Sequence, residues 1–355
     1  MKLAGNFNVN SNKRKVERSS SESFLDRDII DRMYEDGYRC AGFGEYMRRS
    51  HNYNVFKVPM NAGFSCPNID GRLNKKGCTY CPDRAKQFTY ESFRRVIKED
   101  LEYQVADQVD YYKKKGAGDK ALVYVAFGTN TYMQLNDLKR IFDAALKHED
   151  VVGLSVGTRP DCIPCEVLDL FADYVDMGYE MWLELGQQSV HYHTVENVNR
   201  QHGVAELIRA TNESHKRGIY VCVFNIMGLP YETPSEMIET ARILSTLGID
   251  AVKLYPLLVM YDTQILSDYK SGKYRPISDR EYVMLLADFV ENLSPYVLIQ
   301  RFSKDCGLDG KAAPLWDTHR WIVGPRVDKL LALRKSRQGA KYKVTLGVDE
   351  LVPLE

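Results

Sequence analysis

The sequence predicts an α/β fold built on a parallel sheet, with a β/α barrel favoured over a doubly wound sheet. From about residue 55, six short apolar or β-branched segments alternate with segments of helical periodicity, which is the pattern of βαβ units. Counting strands does not separate the two folds. However, polar residues follow nearly all six segments, and in a β/α barrel this edge carries the active site. No Pro-, Gly- or Ser-rich linker precedes the last part of the chain, so we expect a small C-terminal extension packed on the barrel.

The predicted strands and helices alternate along the chain. Strands are expected at residues 55–60, 121–127, 151–158, 179–186, 219–228 and 250–257, with a further candidate in the extension at 295–303. Helices are expected at residues 90–115, 135–148, 164–178 and 233–248, and a helix-like segment at 327–335. The helix at 233–248 has Thr and Pro at its start and Gly at its end, as helix caps do. The polar residues at the strand ends are Gly128, Thr129, Asn130, Thr158, Arg159, Glu184, Gln187, Gln188, Ser189, Asn225 and Tyr255.

The composition is that of a globular protein of 355 residues with no net charge. Lys plus Arg and Asp plus Glu each total 48, so bulk charge gives no argument for binding nucleic acid or a membrane. No apolar run approaches the roughly 20 residues that span a bilayer, and no signal peptide is recognisable, so we expect a cytoplasmic protein without a membrane partner. Residues 1–25 are predicted to be a disordered polar lead, residues 35–275 the core barrel and residues 276–355 the extension.

The strongest local signal is the segment GFSCPNIDGRLNKKGCTYC, directly after the first predicted strand. It contains Cys66, Cys78 and Cys81, the last two at C-x2-C spacing. Cysteines stay mostly reduced in the cytoplasm, so clustered ones indicate metal ligands or redox groups. Three thiolates without a His in the loop suit a cluster whose fourth iron is open to a small molecule, because structural zinc normally takes four protein ligands. A zinc site with a remote fourth ligand, or three cysteines that merely lie in a loop, are the alternatives.

A second cysteine pair, Cys162 and Cys165, also has C-x2-C spacing and follows the third predicted strand. The spacing is compatible with a redox pair or with part of an auxiliary cluster. Two cysteines with no special role are the alternative reading of the same pattern.

Several segments together resemble one family. The patterns GFSCPN.DG....GCTYC, TNTY, VGLSVGTRPDC.P..VLDL, GYE.WLELG.QS, NR.H, GLP.E and APLW occur in order between about residues 35 and 340. They resemble the YhcC/YtqA-type radical S-adenosylmethionine (SAM) proteins, within the group similar to the Elongator catalytic subunit. The resemblance implies a partial, six-stranded TIM-like barrel, a [4Fe–4S] cluster on Cys66, Cys78 and Cys81, and SAM on the open iron. It also implies an enzyme that cleaves SAM reductively to a 5′-deoxyadenosyl radical and takes its electron from a donor such as flavodoxin or ferredoxin.

The resemblance further implies SAM-contacting roles for residues near the strand ends. Arg200 is expected to hold the SAM carboxylate, because a planar guanidinium can donate two parallel hydrogen bonds to it. Thr129 and Asn130 would accept from the SAM amino group, and Glu184 would accept from the amino group or the ribose. A turn-forming Asn130 and a Glu184 in a purely structural ion pair are the alternatives. The full predicted set is Tyr80, Thr129, Asn130, Glu184, Gln188, Ser189, Arg200 and Gly228.

Two of these roles concern backbone rather than side chains. Tyr80 and Gly228 lie in segments whose backbone is expected to contact adenine, with plain loop packing as the alternative for Tyr80. His202, two residues after Arg200, belongs either to the site or to a helix surface.

Several positions depart from the family pattern. Phe224 and Tyr231 stand where relatives carry His and Gly, and a "LHPLH" pattern has become LYPLL, with Tyr255 and Leu258 in place of His. Tyr261 replaces a Lys, and Gln187 replaces a Leu. Most of these positions are expected on the substrate side of the barrel mouth, so they put the substrate in doubt while leaving SAM cleavage intact.

Three functions are compatible with these observations. The resemblance points to a tRNA-modifying enzyme that converts a carboxymethylaminomethyl group on a wobble uridine to the aminomethyl form. Basic and aromatic residues interleave at 38–57 and 334–344, as on RNA-binding surfaces, although each stretch could equally be a solvated face. A radical SAM enzyme acting on a protein or small metabolite, and a non-catalytic iron–sulfur sensor or interaction protein, are the alternatives.

Overall fold

The computed structural model describes residues 23–82, 101–303 and 310–343. Nearly all of the predicted polar lead, and part of the predicted helix at 90–115, therefore lie outside the described residues. Residues 23–25 are packed, since Leu25 is buried and Ser23 donates a hydrogen bond to Asp250. The strands are β1 (Val55–Met60), β2 (Lys120–Val125), β3 (Val151–Thr158), β4 (Glu180–Gln188), β5 (Tyr220–Met227), β6 (Ala251–Pro256), β7 (Val259–Met260), β8 (Leu298–Arg301) and β9 (Lys311–Ala313).

The helices lie mainly between consecutive strands, as in βαβ units. They are α1 (Arg27–Glu35), α2 (Phe43–Ser50), α3 (Leu101–Lys114), α4 (Leu135–Leu146), α5 (Cys165–Asp176), α6 (Tyr192–Asn197), α7 (Val204–His215), α8 (Pro234–Thr246), α9 (Ile265–Lys270), α10 (Asp279–Asn292) and α11 (Arg320–Leu333), with a 3-10 turn at Pro160–Cys162. Thr233 caps α8 as predicted, accepting from the backbone of Glu236 while that side chain reaches back to Thr233.

The main sheet is parallel and curls into a half-barrel, which confirms the predicted fold class. Its strand order is β1-β2-β3-β4-β5-β6-β8, so the sheet has seven strands where the resemblance implied six. The seventh strand is the candidate at 295–303, which pairs through Leu298 with Ala251 of β6. A parallel sheet edge has unpaired N–H and C=O groups, and β8 satisfies those of β6. Strands β7 and β9 form a separate antiparallel pair.

The two faces of the sheet have different roles. The outward face is apolar and packs against the helices, with Val58, Val123, Leu183, Val223 and Val252 in one hydrophobic core. The inward face is layered. Near the starts of the strands it is apolar and is closed by α1 and α2. These helices form a second core with residues of five strands, namely Leu122, Trp182, Cys222, Ala251 and Leu298. Because this end is sealed, the open space lies at the carboxyl ends of the strands.

Candidate active site

A cavity of about 290 Å³ opens at the carboxyl ends of β2 to β5, beneath the cysteine loop. Most of the predicted site residues line this one cavity, although they are scattered along the sequence. They are Cys66, Cys78, Cys81, Tyr80, Thr129, Glu184, Gln188 and Arg200. The cavity lining does not include Asn130, Ser189 or Gly228.

The segment around Asn199 holds the cysteine loop in place. The Asn68 amide donates to the Cys78 sulfur at 3.4 Å and to the backbone carbonyl of Asn199 at 2.7 Å. The Asn199 amide in turn donates to the carbonyl of Gly77 at 2.6 Å. Gly77 has a φ of 73°, a left-handed conformation that glycine adopts without strain. These bonds position the loop over the cavity before any ligand binds.

The cysteine arrangement suits a cluster better than a single metal ion. Cys66, Cys78 and Cys81 form no disulfide and border the same cavity. Within the described residues, however, no three His, Cys, Asp or Glu side chains are grouped closely enough to hold one metal ion. In a [4Fe–4S] cluster each cysteine binds a different iron, so the sulfurs are spaced by the cluster rather than gathered around one atom. Three thiols spread around a cavity match that spacing, whereas a mononuclear zinc site would need its ligands gathered around one ion.

Arg200 lies against Cys78 at the wall of the cavity. Its guanidinium is 3.7 Å from the Cys78 sulfur and also donates to the carbonyl of Gly186. Burial opposes ionisation of the Cys78 thiol, but the neighbouring Arg200 cation, together with a hydrogen bond to Tyr80 and the charge of Arg159, outweighs it and the pKa of Cys78 is lowered. A thiolate is the form that binds iron, so this contact favours the protonation state a cluster needs.

Unpaired polar atoms surround the same cavity. Among the buried atoms of residues that line it, Asn68 Oδ1, Arg159 Nη1, Gln188 Oε1 and Arg200 Nε have no hydrogen-bond partner in the described structure. Buried polar groups are normally paired, so these atoms are available to a bound ligand or to water. Two cationic donors and two amide acceptors match a ligand with a carboxylate and an amino group, as SAM has. The site therefore fits SAM as well as the cluster.

Glu184 lines the cavity but its carboxylate is already occupied. It accepts from Lys57 Nζ at 2.7 Å and from Ser155 Oγ at 2.7 Å, and it forms a very close ion pair with Lys253. Burial would raise the pKa of the Glu184 carboxyl, but the two ammonium groups lower it overall. This arrangement matches the alternative of a buried ion pair, with lysines as partners. Direct contact between Glu184 and SAM stays a prediction.

Thr129 and Asn130, two other predicted SAM residues, already form hydrogen bonds within the protein. Thr129 borders the cavity, and its backbone N–H donates to the carbonyl of Ser65 at 2.9 Å. The Asn130 amide nitrogen donates to the carbonyls of Val125 and Gly157, which joins the ends of β2 and β3. Asn130 therefore acts in the backbone turn, as the alternative reading expected, although its Oδ1 is buried with no partner in the described residues.

Ser189 and Gly228 are directed away from the cavity. The Ser189 hydroxyl donates to the Glu232 carboxyl at 2.5 Å. The Gly228 N–H contacts the Met237 sulfur at 3.2 Å, and its carbonyl accepts from the Tyr274 hydroxyl at 2.8 Å. Because the protein itself satisfies both backbone groups of Gly228, the predicted adenine contact would require one of these bonds to be exchanged.

His202 is buried next to Arg200 and does not lie on a helix surface. Burial, together with the nearby Arg200 and Arg159 cations, lowers the pKa of His202 to about 3. The imidazole is therefore neutral at physiological pH. Arg159, which the sequence marked only as a polar strand end, forms a bidentate pair with Asp161 and donates to the Arg200 carbonyl. It thus supports Arg200 from behind.

The departures from the family pattern divide into two groups. Phe224 lines the cavity and packs edge-to-face on Tyr255, with ring centroids 4.4 Å apart. Tyr231 and Tyr261 are exposed in loops at the same end of the barrel, while Leu258 is half-buried. Phe224, backed by Tyr255, therefore gives this part of the cavity wall an apolar surface.

Cys162 and Cys165 do not form a disulfide in this structure. Cys165 is exposed at the start of α5, and Cys162 ends the preceding 3-10 turn. Burial raises the pKa of the Cys162 thiol to about 12, which disfavours the thiolate that redox and metal chemistry require. Neither cysteine lines the cavity.

The two basic and aromatic stretches lie at the opposite end of the barrel from the cavity. The first contains α2, where Tyr46 and Met47 belong to the core that seals this end. Its Arg49 pairs with Glu45 and Asp36, and Arg334 of the second stretch pairs with Asp288 and Glu291. Arg49 and Arg334 are therefore paired with carboxylates, and RNA binding by either stretch stays a prediction.

Comparison with known proteins identifies the family. A family model described as the Radical SAM superfamily matches residues 74–244, and one described as the Radical_SAM C-terminal domain matches residues 249–332. The uncharacterised protein MJ0486 of Methanocaldococcus jannaschii is 42% identical over 90% of this chain and 98% of its own length. The protein YhcC of Escherichia coli is 34% identical over 81% of this chain and 91% of its own.

More distant relatives have stated activities. The tRNA uridine(34) acetyltransferase of Dehalococcoides mccartyi is 27% identical over 75% of this chain and 65% of its own length. The solved structure of Methanocaldococcus infernus Elp3, lacking its first residues, has the same fold, with a TM-score of 0.61 at 18% identity. That match covers 80% of this chain and 64% of the Elp3 chain. Across the described helices, none has the length and hydropathy that crossing a bilayer requires.

Proposed function

This chain belongs to the radical SAM superfamily, and from that premise we propose that it modifies the side chain of a wobble uridine in tRNA. The proposed reaction converts a carboxymethylaminomethyl group to the aminomethyl form. The two-carbon unit would leave as glyoxylate, through abstraction of a hydrogen atom from its CH2, loss of one electron to the oxidised cluster and hydrolysis by water, so that SAM is the overall two-electron oxidant. Removing a carbon substituent through a C–H bond calls for a radical initiator. The similarity to a tRNA uridine(34) acetyltransferase over 75% of the chain is the observation that carries the choice of substrate.

The superfamily's cofactors, a [4Fe–4S] cluster and SAM, supply a 5′-deoxyadenosyl radical when bound. We assign the cluster to Cys66, Cys78 and Cys81, because these thiols border one cavity and Arg200 favours the thiolate of Cys78. Arg200 would hold the SAM carboxylate through its unpaired Nε, a charge-assisted bond of the strong kind. The sealed opposite end of the barrel keeps water from reaching the reacting atoms from below.

The mouth of the cavity offers groups suited to a nucleic acid. Exposed aromatic side chains follow three strands at this end, namely Phe127, Tyr231 and Tyr261. Phe127 also lines the cavity and has a φ of 70°, an unusual conformation for a bulky residue and one that tends to occur at functional sites. Bases stack on exposed aromatic rings with about 1–3 kcal/mol each, so these rings suit an unstacked nucleoside.

Cations at the same end could contact phosphates. Five exposed basic residues in the cysteine loop and around α9 form no ion pair with another described residue, namely Arg72, Lys75, Lys76, Lys270 and Lys273. Helix α9 packs directly on the cysteine loop, since the N–H of Ile265 donates to the carbonyl of Thr79. The two groups of cations are therefore neighbours. Cations without a carboxylate partner around a cavity favour the binding of a polyanion. We therefore propose these five residues, rather than the two basic and aromatic stretches, as the contacts to tRNA phosphates.

The test is anaerobic reconstitution followed by incubation with SAM, dithionite and tRNA. The tRNA carries carboxymethylaminomethyluridine at position 34, and both 5′-deoxyadenosine and the modified nucleosides are measured. We expect deoxyadenosine and aminomethyluridine to form together, and neither to form with the Cys66→Ala, Cys78→Ala, Cys81→Ala triple variant. Deoxyadenosine without any change in the nucleosides would reject the tRNA substrate and favour a protein or small metabolite.

A further inference from the structure

A layer of charged side chains lies inside the half-barrel, directly below the cavity. Lys57 of β1 and Lys253 of β6 both bind the one carboxylate of Glu184 on β4. The side chains of Lys253 and Glu184 are each 2% exposed, whereas that of Lys57 is 18% exposed. Both ammonium groups also lie near the ring of Tyr124, Lys253 Nζ at 4.5 Å from its centroid. We call Lys57, Lys253 and Glu184 the lysine layer.

The lysine layer has more positive than negative charge. Arg301 of β8 lies close enough to Glu184 and Tyr255 to be influenced by both, and it makes no ion pair with a described carboxylate. Cys222 and Tyr255 cannot supply the missing anion, because burial raises the pKa of each to about 12. Burial also raises the pKa of Tyr124, so this phenol stays neutral. Lys57, Lys253 and Arg301 thus lie around one carboxylate, and burial together with the neighbouring Lys253 lowers the pKa of Lys57, as expected where cations outnumber their anions.

The cavity reaches this layer. Glu184 of the layer lines the cavity, and so does Tyr124, whose ring lies near both lysine ammonium groups, so the layer begins at the cavity wall. Gln300 of β8 accepts from Lys57 Nζ at 3.1 Å, but its own amide nitrogen is buried with no partner in the described residues. The layer therefore contains an unused neutral donor beside the excess cations. Donors and cations without acceptors are the arrangement of an anion site.

We propose that the lysine layer binds a carboxylate of the substrate and thereby selects a side chain that ends in an acid. The identity of that side chain, the carboxymethylaminomethyl group, rests on the proposed function. Arg200 is separate from the layer, beside Cys78, so the SAM carboxylate has its own cation. The product lacks the carboxylate and carries an amine, which the excess positive charge repels. The same layer would therefore hold the substrate and release the product.

The first experiment compares two nucleosides on the reconstituted protein with SAM bound. Binding of 5-carboxymethylaminomethyluridine and of 5-aminomethyluridine is measured by titration calorimetry. We expect the acidic nucleoside to bind at least about tenfold more tightly, and the preference to disappear in Lys253→Met and Lys57→Met. Lys139→Met, on the exposed face of α4, is the matched control and should keep the preference. Equal binding of the two nucleosides by the wild type would overturn the inference.

The second experiment tests the anion site without relying on the nucleoside. Malonate is compared with sodium chloride at equal ionic strength, and the thermal midpoint of the reconstituted protein is measured. We expect malonate to raise the midpoint of the wild type and of Lys139→Met by about 2 °C or more, with no rise in Lys253→Met or its alternative Lys253→Gln. An identical rise in all variants, or displacement of SAM by malonate, would refute the carboxylate site. A malonate effect without nucleoside binding would retain the site and reject the uridine substrate.

Discussion

The Arg200 guanidinium lies 3.7 Å from the Cys78 sulfur and keeps its Nε free of any described partner. One side chain thus touches a proposed cluster ligand and offers a donor to the cavity. Arg200→Lys keeps the charge but loses the planar fork, so we expect SAM to bind about tenfold to hundredfold more weakly. Equilibrium SAM binding to the reconstituted protein measures this effect. Arg217→Lys, on the surface of the barrel, is the control, and an unchanged affinity in Arg200→Lys would contradict the assignment.

Gly128 packs directly against the backbone that leads into the cysteine loop. A Cβ at this position would lie 2.3 Å from the carbonyl oxygen of Phe64, and its φ is 86°. Gly37 has a similar φ of 90°, but a Cβ there would have no atom within 4 Å, so this glycine isolates the cost of conformation alone. We expect Gly128→Ala to lower the free energy of unfolding by about 1–3 kcal/mol more than Gly37→Ala.

Iron content distinguishes a local disturbance of the cysteine loop from a general loss of stability in Gly128→Ala. Phe64 is two residues before Cys66, so displacing its carbonyl should disturb the loop and reduce the iron bound after reconstitution. Gly37→Ala should bind iron normally. Equal stability and equal iron in the two variants would show that the loop can shift without cost.

The strands could be predicted because their signal is local. Val55–Met60 and Val151–Thr158 have the limits that the sequence predicts, since short β-branched runs between polar loops identify buried parallel strands. The seventh strand was only a candidate, because β8 has four residues and its place depends on the free edge of β6. The cysteine loop could be identified for a similar reason, since its three cysteines all lie in one short segment of the sequence.

The lysine layer could not be predicted from the sequence. Lys57 alternates with apolar residues in β1, which is equally typical of a side chain facing solvent. Its contact with Glu184 spans 127 positions of sequence and depends on how far the sheet curls. Glu184 was identified through the family pattern, but its partners follow only from the three-dimensional arrangement. The ion pair between Arg334 and Asp288 could not be predicted for the same reason, because its partners are 46 positions apart in sequence.

Cys162 and Cys165 are expected to be dispensable for iron binding. They do not border the cavity, and burial raises the pKa of the Cys162 thiol to about 12. Changing both to Ala should leave about four irons per chain after anaerobic reconstitution, the content of one [4Fe–4S] cluster. Iron and sulfide analysis measures this directly. A clear loss of iron in the double variant would indicate a second cluster and reject the assignment to three cysteines alone.

Glu232 gives the protein a pH-dependent stability. Burial, aided by repulsion from Glu236, raises the pKa of the Glu232 carboxyl to about 8, although the Ser189 hydroxyl partly opposes this. The folded state therefore holds a proton that the unfolded chain, with an ordinary pKa near 4.3, has already released. Between these two values the folded protein binds more protons, so stability must fall as pH rises, by at most ~1.4 kcal/mol per pH unit.

Glu232→Gln should remove this slope, because an amide of the same shape carries no titrating proton. Urea unfolding at pH 5.5, 7 and 8.5 gives the free energy of unfolding of the wild type and of the variant. The value for the variant minus that for the wild type should increase as pH rises and level off above about pH 8. Glu239→Gln, an exposed position on α8, the helix that follows Glu232, is the control and should show no such trend. A wild-type slope that persists in Glu232→Gln would mean that another buried group holds the proton, and that the Ser189–Glu232 pair is ionised in the folded protein.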